Sequence, residues 1–520
     1  MIIGALDIGS NSIHLVVVET EGESSFRVIG SGKEMVRLGR SVARDRKLSN
    51  DAIARAVEAI GRFNRQAREL GATEMITAAT SATREATNRD QFIKRVADET
   101  GVHLDTLSGI EEARLISLAV AARQKPRAKE RLLGIDIGGG STELSITQNG
   151  EPSVLISLTL GAVRLTEQFL GSDPIAPKQL RRLRAELREV IAHREPEISA
   201  VGFDSCLGTS GTITSLATVL WHRRHAKKQR LPAVPETGLP LSLSELRELN
   251  AEMAELDLDA RSEVPGLSRA RAEIIVPGGQ LLEALLEVLK IDTLTTCDWA
   301  LREGVIIAYL TRRAVAAASS SSDLERDPSL RGALSMIDHY RADRKHSLLV
   351  ASFARQLFDA LRPLHLLGSE HRRLLVGAAL LHDIGYFVAH TNHNKHSAYL
   401  IQNSELTGFM ASELAIIANL ARYHRSSLPK QKHPYYSALP ENDREVVRRL
   451  AAVLRLADAL DRDHRGKVKS LKCSFDEDTV YLTAVCSQIS DTTTYRVEER
   501  ADLLTELFGR RFDITFEQTG

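Results

Sequence analysis

Cysteines, long apolar runs and net charge are scarce or absent in this sequence, and each absence excludes a class of protein. The chain has only four cysteines, with no Cys-x-x-Cys pair: Cys206, Cys297, Cys473 and Cys486. Isolated cysteines of this kind are typical of reduced, buried thiols rather than of a secreted disulfide framework. No apolar run approaches the roughly 18 residues that a membrane-spanning helix needs. The first residues, MIIGALDIG, lack the cationic leader of a signal peptide. We therefore expect a cytoplasmic protein without a membrane span.

The positive and negative charges of the sequence cancel. With 68 basic and 68 acidic residues, no overall attraction to nucleic acid or to a membrane is expected, and any anion must be bound by a local group of residues. The apolar content of 43% and charged content of 26% are ordinary for a globular protein. At 520 residues the chain is too long for one core, and usual domain sizes predict about three or four domains.

The chain contains an internal repeat. Residues 5–17, ALDIGSNSIHLVV, align without gaps on residues 134–146, GIDIGGGSTELSI. Each copy reads as an apolar strand, an Asp-Ile-Gly turn rich in small polar residues, and a second strand of alternating pattern. The pattern predicts two β-hairpins whose turns leave backbone amides open to a ligand.

The segments that follow each hairpin have the same plan of helices, a strand and a further turn. This predicts two similar α/β lobes, at residues 1–125 and 126–312. An Ala/Ser run at 314–322 predicts a linker or a frayed helix end. Helical periodicity then dominates residues 325–465, and an alternating pattern in 466–520 predicts a small α/β domain at the C-terminus.

The glycine-rich turns are of a kind that binds phosphate. Hydrolysis of a phosphoryl group requires amide donors for the phosphate oxygens, a hard metal ion held by carboxylates, and a group that orients water. A third turn, at 208–212, opens a helix and adds its positive end. The candidate phosphate-binding residues are Gly9, Ser10, Asn11, Ser12, Gly138, Gly139, Gly140, Ser141, Gly208, Thr209, Ser210, Gly211 and Thr212.

Carboxylates accompany these turns. Asp7, Asp136 and Glu143 can hold Mg²⁺, which prefers one or two carboxylates together with waters and phosphate oxygens, and Arg84 can contact a phosphate. A single Gly-Gly-Gly-Ser turn is more often only a tight turn. Its duplication at equivalent positions favours a phosphate-binding cleft.

Two glutamates begin the helix after Leu-Ser-Gly, a position suited to a catalytic base at the edge of a cleft. Acids in the first turn of a helix are usually explained by the helix dipole. For Glu111 alone we keep that explanation, while Glu111 and Glu112 together occupy a position suited to a base.

Six motifs in order, DIGSNSIHLVV, TSATREA, SGIEEARLI, GIDIGGGSTEL, GTSGTITSLA and ALREGV, resemble the exopolyphosphatase/guanosine pentaphosphate phosphohydrolase (Ppx/GppA) family. The resemblance covers roughly the first 310 residues and implies two actin-like lobes of ribonuclease H-like fold. It implies Mg²⁺-dependent release of the terminal phosphate from inorganic polyphosphate or from guanosine pentaphosphate. It also implies that Glu112 activates water, that Arg84 contacts phosphate, and that Asp136 and Glu143 are cleft acids. A homodimer is expected by resemblance only.

Histidines and aspartates occur on several of the predicted helices in the region 325–465. An adjacent His-Asp pair with further ligands on neighbouring helices resembles the HD-domain metal phosphohydrolases, whereas packing alone does not require such a set. We expect a bound divalent metal here and do not expect a second catalytic activity. The candidate ligands are His346, His382, Asp383, His396, His424 and Asp458.

Three rival functions remain open from the sequence. Guanosine pentaphosphate can replace polyphosphate in the same site. A kinase or ATPase with the same actin-like lobes can use the turn at Gly278 and Gly279 to bind adenosine. A water-activating Glu112 argues against this function, because it would hydrolyse the bound ATP unproductively. A sensor that binds polyphosphate or alarmone without turnover is disfavoured by the intact acids.

Three cationic stretches, at 221–230, 424–433 and 461–469, are commonly solvated loops but also suit a long polyanion. Binding through them would weaken with salt.

Overall fold

The chain forms two compact units, Met1–Thr311 and Arg312–Gly520, which we call the α/β unit and the helical unit. The computed structural model describes residues 1–21, 25–226, 232–317, 327–425, 427–489 and 491–518. Part of the predicted linker and part of the cationic stretch at 221–230 lie outside these residues. Within the described residues, no helix is both long and apolar enough to cross a membrane.

The first sheet of the α/β unit has the order β3-β2-β1-β4, in which β1 is antiparallel to β2 and parallel to β4. Helix α2 covers it with a buried apolar stripe that includes Ile53, Val57, Ile60 and Phe63, as the helical period predicts. The elements of this lobe are β1 (Ile2–Ile8), β2 (Ser12–Glu21), β3 (Ser25–Met35), α1 (Gly39–Asp45), α2 (Asn50–Glu69), β4 (Glu74–Ala79), α3 (Ser81–Glu85), α4 (Arg89–Thr100) and α5 (Gly109–Gln124).

The second sheet has the order β7-β6-β5-β8-β10-β9. Its first four strands repeat the order and directions of the first sheet, because β5 is antiparallel to β6 and parallel to β8. The elements are β5 (Arg131–Ile137), β6 (Thr142–Gln148), β7 (Glu151–Leu158), α6 (Ala162–Phe169), α7 (Pro177–Ser199), β8 (Ser205–Thr209), α8 (Ser210–His225), β9 (Pro240–Ser242), α9 (Leu243–Glu255), α10 (Leu258–Ser262), α11 (Arg269–Ala272), α12 (Ile275–Val288), β10 (Thr293–Thr296) and α13 (Leu301–Ala317).

The duplication predicted from the sequence is therefore confirmed in the fold. Both predicted hairpins form, and their turns lie at the same end of equivalent strand pairs. Each lobe also has its own apolar core.

The helical unit packs its helices around one apolar core. Its elements are α14 (Pro328–His339), α15 (Arg344–Ala360), α16 (Arg362–His365), α17 (Ser369–Leu381), a 3₁₀ helix (Ile384–Phe387), α18 (His393–Gln402), α19 (Ala411–Tyr423), α20 (Pro434–Ser437), α21 (Glu441–Ala459), β11 (Val468–Phe475), β12 (Thr479–Cys486), α22 (Asp491–Phe508) and β13 (Arg511–Gln518). The last three strands form a sheet of order β11-β12-β13.

The predicted boundary near residue 465 does not separate two cores. Val480 and Leu482 of the C-terminal sheet belong to the same buried cluster as Leu450 and Leu454 of α21. The alternating pattern of 466–520 correctly indicates a sheet with one buried face. That face packs on the helices, so the C-terminal segment is part of the helical unit.

Candidate functional site

A cavity of about 280 Å³ lies where the turns of the two hairpins meet the start of α8. Its lining includes residues 9–12 from the first turn, 138–141 from the second, and 209–212 from the third. Among the predicted phosphate-binding residues, only Gly208 and Arg84 are absent from this lining. The sequence therefore predicts three loops that the fold brings to one cavity.

The two hairpin turns approach each other closely. A Cβ at Gly140 would lie 2.4 Å from Ser81 Oγ and 2.7 Å from Ser10 Oγ, so only glycine fits there. In the first turn, Asn11 Nδ2 is buried without a hydrogen-bond acceptor. A buried donor without a partner is costly, and a phosphate oxygen in the cavity would satisfy it.

The third loop leads into the 16-residue helix α8. Ser210 adopts a left-handed conformation with φ of 74°, and its Oγ donates to the Ile137 carbonyl oxygen at 3.0 Å. The free amides at the start of α8 therefore face the cavity, with the positive end of the helix dipole. Gly208 has a different role, because a Cβ there would meet Ile213 at 2.7 Å and Leu294 at 2.9 Å. It is a packing residue of β8.

Buried carboxylic acids lie beside these loops. Asp136 is opposite Glu143 across β5 and β6, and Glu143 Oε1 accepts from Ser157 Oγ at 2.8 Å. Asp7 and Asp136 line the cavity. Burial raises the pKa of Asp136 to about 7, with further contributions from Glu112 and Asp7. Burial also raises the pKa of Asp7 to about 7, against the opposing charge of Arg302.

Glu111 and Glu112 point in different directions although they are adjacent. Ser108 caps α5 by accepting from the Glu111 amide at 3.1 Å, and the Glu111 carboxylate pairs with Arg114 at 2.7 Å. Glu112 lines the cavity instead. Burial raises the pKa of Glu112, against the lowering effect of Arg84. A base whose pKa lies closer to neutrality suits proton abstraction from water.

Arg84 contacts Glu112 rather than the cavity. Its Nη1 donates to Glu112 Oε2 at 3.1 Å and to the Leu107 carbonyl oxygen at 2.8 Å. In this structure it orients the candidate base and does not line the cavity, and its contact with phosphate stays a prediction.

The cations that line the cavity are Lys33, Arg271 and Arg302, none of which we predicted. Arg302 lies in the ALREGV motif, which could have marked it as a residue of the cavity. Arg271 lies over Gly211, where a Cβ would come within 1.8 Å of the guanidinium, and no local pattern marks it.

The predicted magnesium ligands, Asp7, Asp136 and Glu143, fit a Mg²⁺ ion that retains water molecules among its ligands. Three ligand atoms from Asp7, Asp136 and Glu143 do not form a tight group; among the described residues, such groups lie only in the helical unit. The reason is that Asp7 belongs to the first hairpin and the other two acids to the second. Mg²⁺ needs only one or two carboxylates, and a cation here would offset the burial and the neighbouring acids that raise the pKa values of Asp7 and Asp136.

The predicted adenosine turn at Gly278 and Gly279 does not exist. Both glycines are buried inside α12, where Gly279 accepts a hydrogen bond from Asn250 at 2.9 Å and Gly278 packs on Thr212. The ATP-binding hypothesis therefore loses its supporting feature.

A second candidate site, the His/Asp cluster, lies in the helical unit. Two groups of potential metal ligands share one carboxylate: His346, His382 and Asp383 form the first, and Asp383, His393 and His424 the second. Asp383 Oδ1 lies 3.3 Å from His393 Nε2 and 3.6 Å from His424 Nε2. Its Oδ2 lies 3.8 Å from His346 Nε2 and 3.6 Å from His382 Nε2. Each oxygen of Asp383 thus faces a different pair of histidines.

The Nδ1 atoms of the four histidines all have oxygen partners, which orient the Nε2 atoms inward. His382 pairs with the Ala379 carbonyl oxygen at 2.7 Å, His424 with that of Ala421 at 2.7 Å, and His393 with that of His390 at 3.1 Å. His346 Nδ1 lies 2.9 Å from Asp461 Oδ2. When Nδ1 donates, a neutral imidazole presents a lone pair at Nε2. This arrangement is characteristic of metal-bound histidines.

Several inward atoms of the cluster have no hydrogen-bond partner. They are His346 Nε2, His382 Nε2, Asp383 Oδ2 and Asp458 Oδ1. Two ligands about 2.1 Å from one cation and about 110° apart are separated by about 3.4 Å. The distances of Asp458 Oδ1 to His346 Nε2 and His382 Nε2 are both 3.6 Å. The cluster therefore fits divalent cations, with Asp383 placed to bridge two of them.

His393 replaces His396 in this cluster. His393, Ser397 and Ile401 share the buried face of α18, because residues four apart lie on one side of a helix, whereas His396 is half-exposed and belongs to neither ligand group. Two further residues were missed: Asp461, and His464, whose ring stacks on His346 with centroids 3.6 Å apart.

Comparison with known proteins agrees with both units. The profile of the Ppx/GppA phosphatase family matches residues 16–313. The chain belongs to the Ppx/GppA phosphatase family. A second profile, Ppx/GppA phosphatase domain III, matches residues 330–506. The resemblance and the fold class that we predicted from the sequence motifs are thereby confirmed.

Curated relatives carry two different names. The chain is 28% identical over 482 residues to guanosine-5'-triphosphate,3'-diphosphate pyrophosphatase of Aeromonas hydrophila, covering 92% of this chain and 91% of that one. It is 36% identical over 315 residues to exopolyphosphatase 1 of Mycobacterium leprae, covering 60% of this chain and 91% of that one.

Solved structures of the family are similar to this fold. An exopolyphosphatase from Cytophaga hutchinsonii is 25% identical with a TM-score of 0.55, covering 60% of this chain and 98% of that one. The Ppx/GppA family member of Aquifex aeolicus is 27% identical with a TM-score of 0.51, with coverage of 60% and 98%.

The buried Asp136 predicts a pH-dependent stability of the metal-free protein. Its native pKa of about 7 exceeds the ordinary 3.8, so the native state binds more protons between these values and the free energy of unfolding falls as pH rises through that range. Asp136→Asn should therefore stabilise the protein at pH 8 by on the order of 1–3 kcal/mol, and much less at pH 4. Thermal unfolding in a chelator measures this.

The matched control is Asp90→Asn, because the Asp90 side chain is 92% exposed and its replacement should change the melting temperature little at either pH. Equal effects of Asp136→Asn at pH 4 and pH 8 would contradict the burial argument.

The geometry of α18 predicts which histidine binds metal. We expect His393→Ala to lower the divalent metal content of the purified protein and His396→Ala to leave it unchanged, because His393, unlike His396, lies in the group of potential ligands around Asp383. Elemental analysis of both variants beside the wild type measures this. Loss of metal from His396→Ala alone would show that the sequence assignment was right.

Proposed function

We propose that this protein is an exopolyphosphatase that hydrolyses the terminal phosphate of inorganic polyphosphate in the cavity of the α/β unit. The observation that carries the proposal is the presence of one buried glutamate, Glu112, in a cavity whose other walls are three phosphate-type loops. The name of the Mycobacterium leprae relative supports it.

The loops bind and orient the phosphate chain in this proposal. Backbone amides of the two hairpin turns and of the start of α8 donate to phosphate oxygens, together with Asn11 Nδ2. Arg271 and Arg302 offset the negative charge of the chain. Preorganised donors of this kind stabilise the charge that develops on the phosphoryl oxygens as the bond breaks.

Glu112 positions the water and accepts its proton. The water oxygen forms a bond to the terminal phosphorus while the bond from that phosphorus to the bridging oxygen breaks. The products are inorganic phosphate and a chain that is one phosphate shorter. Arg84 holds the Glu112 carboxylate in place through its hydrogen bond of 3.1 Å.

Asp136 and Glu143, with Asp7 across the cleft, are the residues that would hold Mg²⁺. When bound, the ion supplies positive charge to the phosphate oxygens. We also propose that the His/Asp cluster binds a divalent metal. The cytoplasmic location and the homodimer stay predictions, and size-exclusion chromatography measures the second.

Guanosine pentaphosphate is the second candidate substrate. It presents the same terminal phosphoanhydride, and the Aeromonas hydrophila relative with the corresponding name matches 92% of this chain, both units included. The ATPase or kinase alternative is disfavoured because the glycines at 278 and 279 are buried in a helix. A sensor without turnover would not need Glu112 in the cavity.

Replacement of the base should separate catalysis from binding. We expect Glu112→Gln to lower kcat by about 10²- to 10⁴-fold with little change in KM, because the carboxamide keeps the shape but cannot accept the proton. Phosphate release from polyphosphate measures this. Glu99→Gln, an exposed glutamate of the same lobe, is the control and should retain full activity. A Glu112→Gln protein with near wild-type kcat would refute the role.

A side-by-side comparison of substrates decides between the candidates. We expect phosphate release in Mg²⁺ from long-chain polyphosphate to exceed that from short-chain polyphosphate, guanosine pentaphosphate and ATP. Faster turnover of guanosine pentaphosphate would favour the second candidate. A strong preference for ATP would overturn the proposal.

A further inference from the structure

The carbonyl oxygens of the second glycine turn, at residues 138–140, all accept hydrogen bonds from the start of α6. Those of the first two glycines accept from the backbone amides of residues 162–164 at 2.9–3.1 Å. The third, that of Gly140, accepts from Arg164 Nε at 2.9 Å. One helix therefore fixes the backbone of the loop that we propose binds phosphate.

Arg164 also forms an ion pair with the other lobe. Its Nη2 lies 2.6 Å from both carboxylate oxygens of Glu85, the last residue of α3. The side chains of Arg164 and Glu85 are only 12% and 20% exposed, and charge-assisted hydrogen bonds of this kind are stronger than neutral ones. Ser81 Oγ donates a further hydrogen bond to Glu85 Oε1 at 2.7 Å. The Glu85 carboxylate is therefore held within α3 while it binds Arg164.

The residue before Glu85 in the chain binds the proposed base. Arg84 Nη1 donates to Glu112 Oε2 at 3.1 Å. Two consecutive residues of the five-residue helix α3 thus hold Glu112 directly and the Gly140 carbonyl through Arg164. Because α3 belongs to the first lobe and Arg164 to the second, this series of contacts crosses the cleft.

The guanidinium group of Arg164 makes this connection rigid. Its Nε binds the turn and its Nη2 binds the Glu85 carboxylate, and a planar guanidinium presents these donors in a fixed geometry. A lysine at position 164 would keep the positive charge, but a single ammonium group on a flexible stem does not fix two acceptors relative to each other. The substitution Arg164→Lys therefore separates geometry from charge.

The first turn is held in an equivalent way. The carbonyl oxygens of residues 10–11 accept from amides within residues 36–39 at 2.7–3.1 Å. Arg37, in this segment, donates from Nη2 to Glu273 Oε1 of the second lobe at 2.7 Å. Its side chain is 34% exposed, so solvent screens this ion pair more strongly. The arrangement is thus repeated, with its direction across the cleft reversed.

The rate of a reaction depends on how well the reacting groups are aligned, and a misplacement of about 1 Å can cost about 100-fold. We propose that Glu85 and Arg164 are positioning residues, which hold the second glycine turn, and with it the terminal phosphate, at a fixed place relative to Glu112. This inference rests on the hydrolysis proposed above. Neither residue lines the cavity, so both act through the groups that they bind, Gly140 and α3.

The kinetics of phosphate release from polyphosphate in Mg²⁺ test this role. We expect Glu85→Gln and Arg164→Lys each to lower kcat by about 10- to 100-fold, because the turn is no longer held relative to Glu112. KM should change by less than about threefold, because the other two loops still bind the chain. The double variant should be at most about twofold slower than the slower single variant, because both substitutions break the same connection.

The matched control removes an ion pair of the first lobe that contacts neither turn. Arg95→Gln/Glu99→Gln replaces two side chains that are 44% and 47% exposed, and this variant should retain the kcat and KM of the wild type. All assays are made at a temperature at which thermal unfolding shows each variant to be folded, so that a lower kcat does not come from unfolded protein.

Three results would overturn the positioning role: wild-type kcat in both single variants, losses that multiply in the double variant, or a higher KM at unchanged kcat. The Glu112→Gln variant separates this failure from that of the proposed function. If Glu112→Gln is inactive while Glu85→Gln and Arg164→Lys are fully active, only the positioning role is wrong. Equal activity of Glu112→Gln and the wild type would refute both the proposed base and the positioning role.

Discussion

Carboxylates and imidazole lone pairs that face one another away from water repel, and both sites of this chain are built around such groups. In the cleft, burial together with neighbouring acids raises the pKa of Asp136 to about 7. In the helical unit, His393 Nε2 and His424 Nε2 lie 3.4 Å apart although the Nδ1 of each ring faces a carbonyl oxygen. The folded protein tolerates these arrangements because the surrounding cores hold them, and a bound cation would relieve the repulsion.

The duplicated lobes share one backbone topology, but their hairpins carry different ionisable side chains. Across each hairpin an aspartate has a cross-strand partner: Asp136 faces Glu143, and Asp7 faces His14. Burial, together with nearby cations, lowers the pKa of His14 to about 3, so its ring is neutral where the other lobe has an acid. Carboxylates are therefore concentrated on the second hairpin. The proposed base, Glu112, comes from α5 of the first lobe, so the proposed reaction uses residues of both lobes.

The sequence was sufficient for features that depend on local pattern. The hairpin repeat and the three glycine-rich turns follow from residue type and spacing, whereas the preference for Glu112 over Glu111 came from the resemblance to the family. It was insufficient where a long-range contact decides. Arg84 fits a phosphate contact by pattern, but the fold places it on Glu112. Gly208 belongs to a glycine turn by sequence, yet its space is filled by Ile213. Such roles depend on which distant segments pack together, and the spacing of residues within one segment does not predict this packing.

The position of His393, rather than His396, in the His/Asp cluster could have been predicted from the sequence. Both residues follow the His-Asp pair at plausible spacing, and only the helical phase separates them. Ser397 and Ile401 lie on the face of α18 that contains His393, and an apolar residue at 401 marked that face in the sequence. Phase relative to the apolar stripe is therefore a better guide to a buried ligand than order along the chain.

If the three loops bind phosphate as proposed, they also determine which part of a substrate the cleft can recognise. Backbone amides and a helix N-terminus recognise phosphate oxygens and carry no information about what lies beyond the next phosphate. In the proposed reaction, polyphosphate and guanosine pentaphosphate would present the same reacting atoms to Glu112, so the bond-breaking step would be common to both. Discrimination between these two substrates must come from residues that contact the rest of the polyphosphate or the nucleotide. Such residues lie outside the repeated hairpin motif.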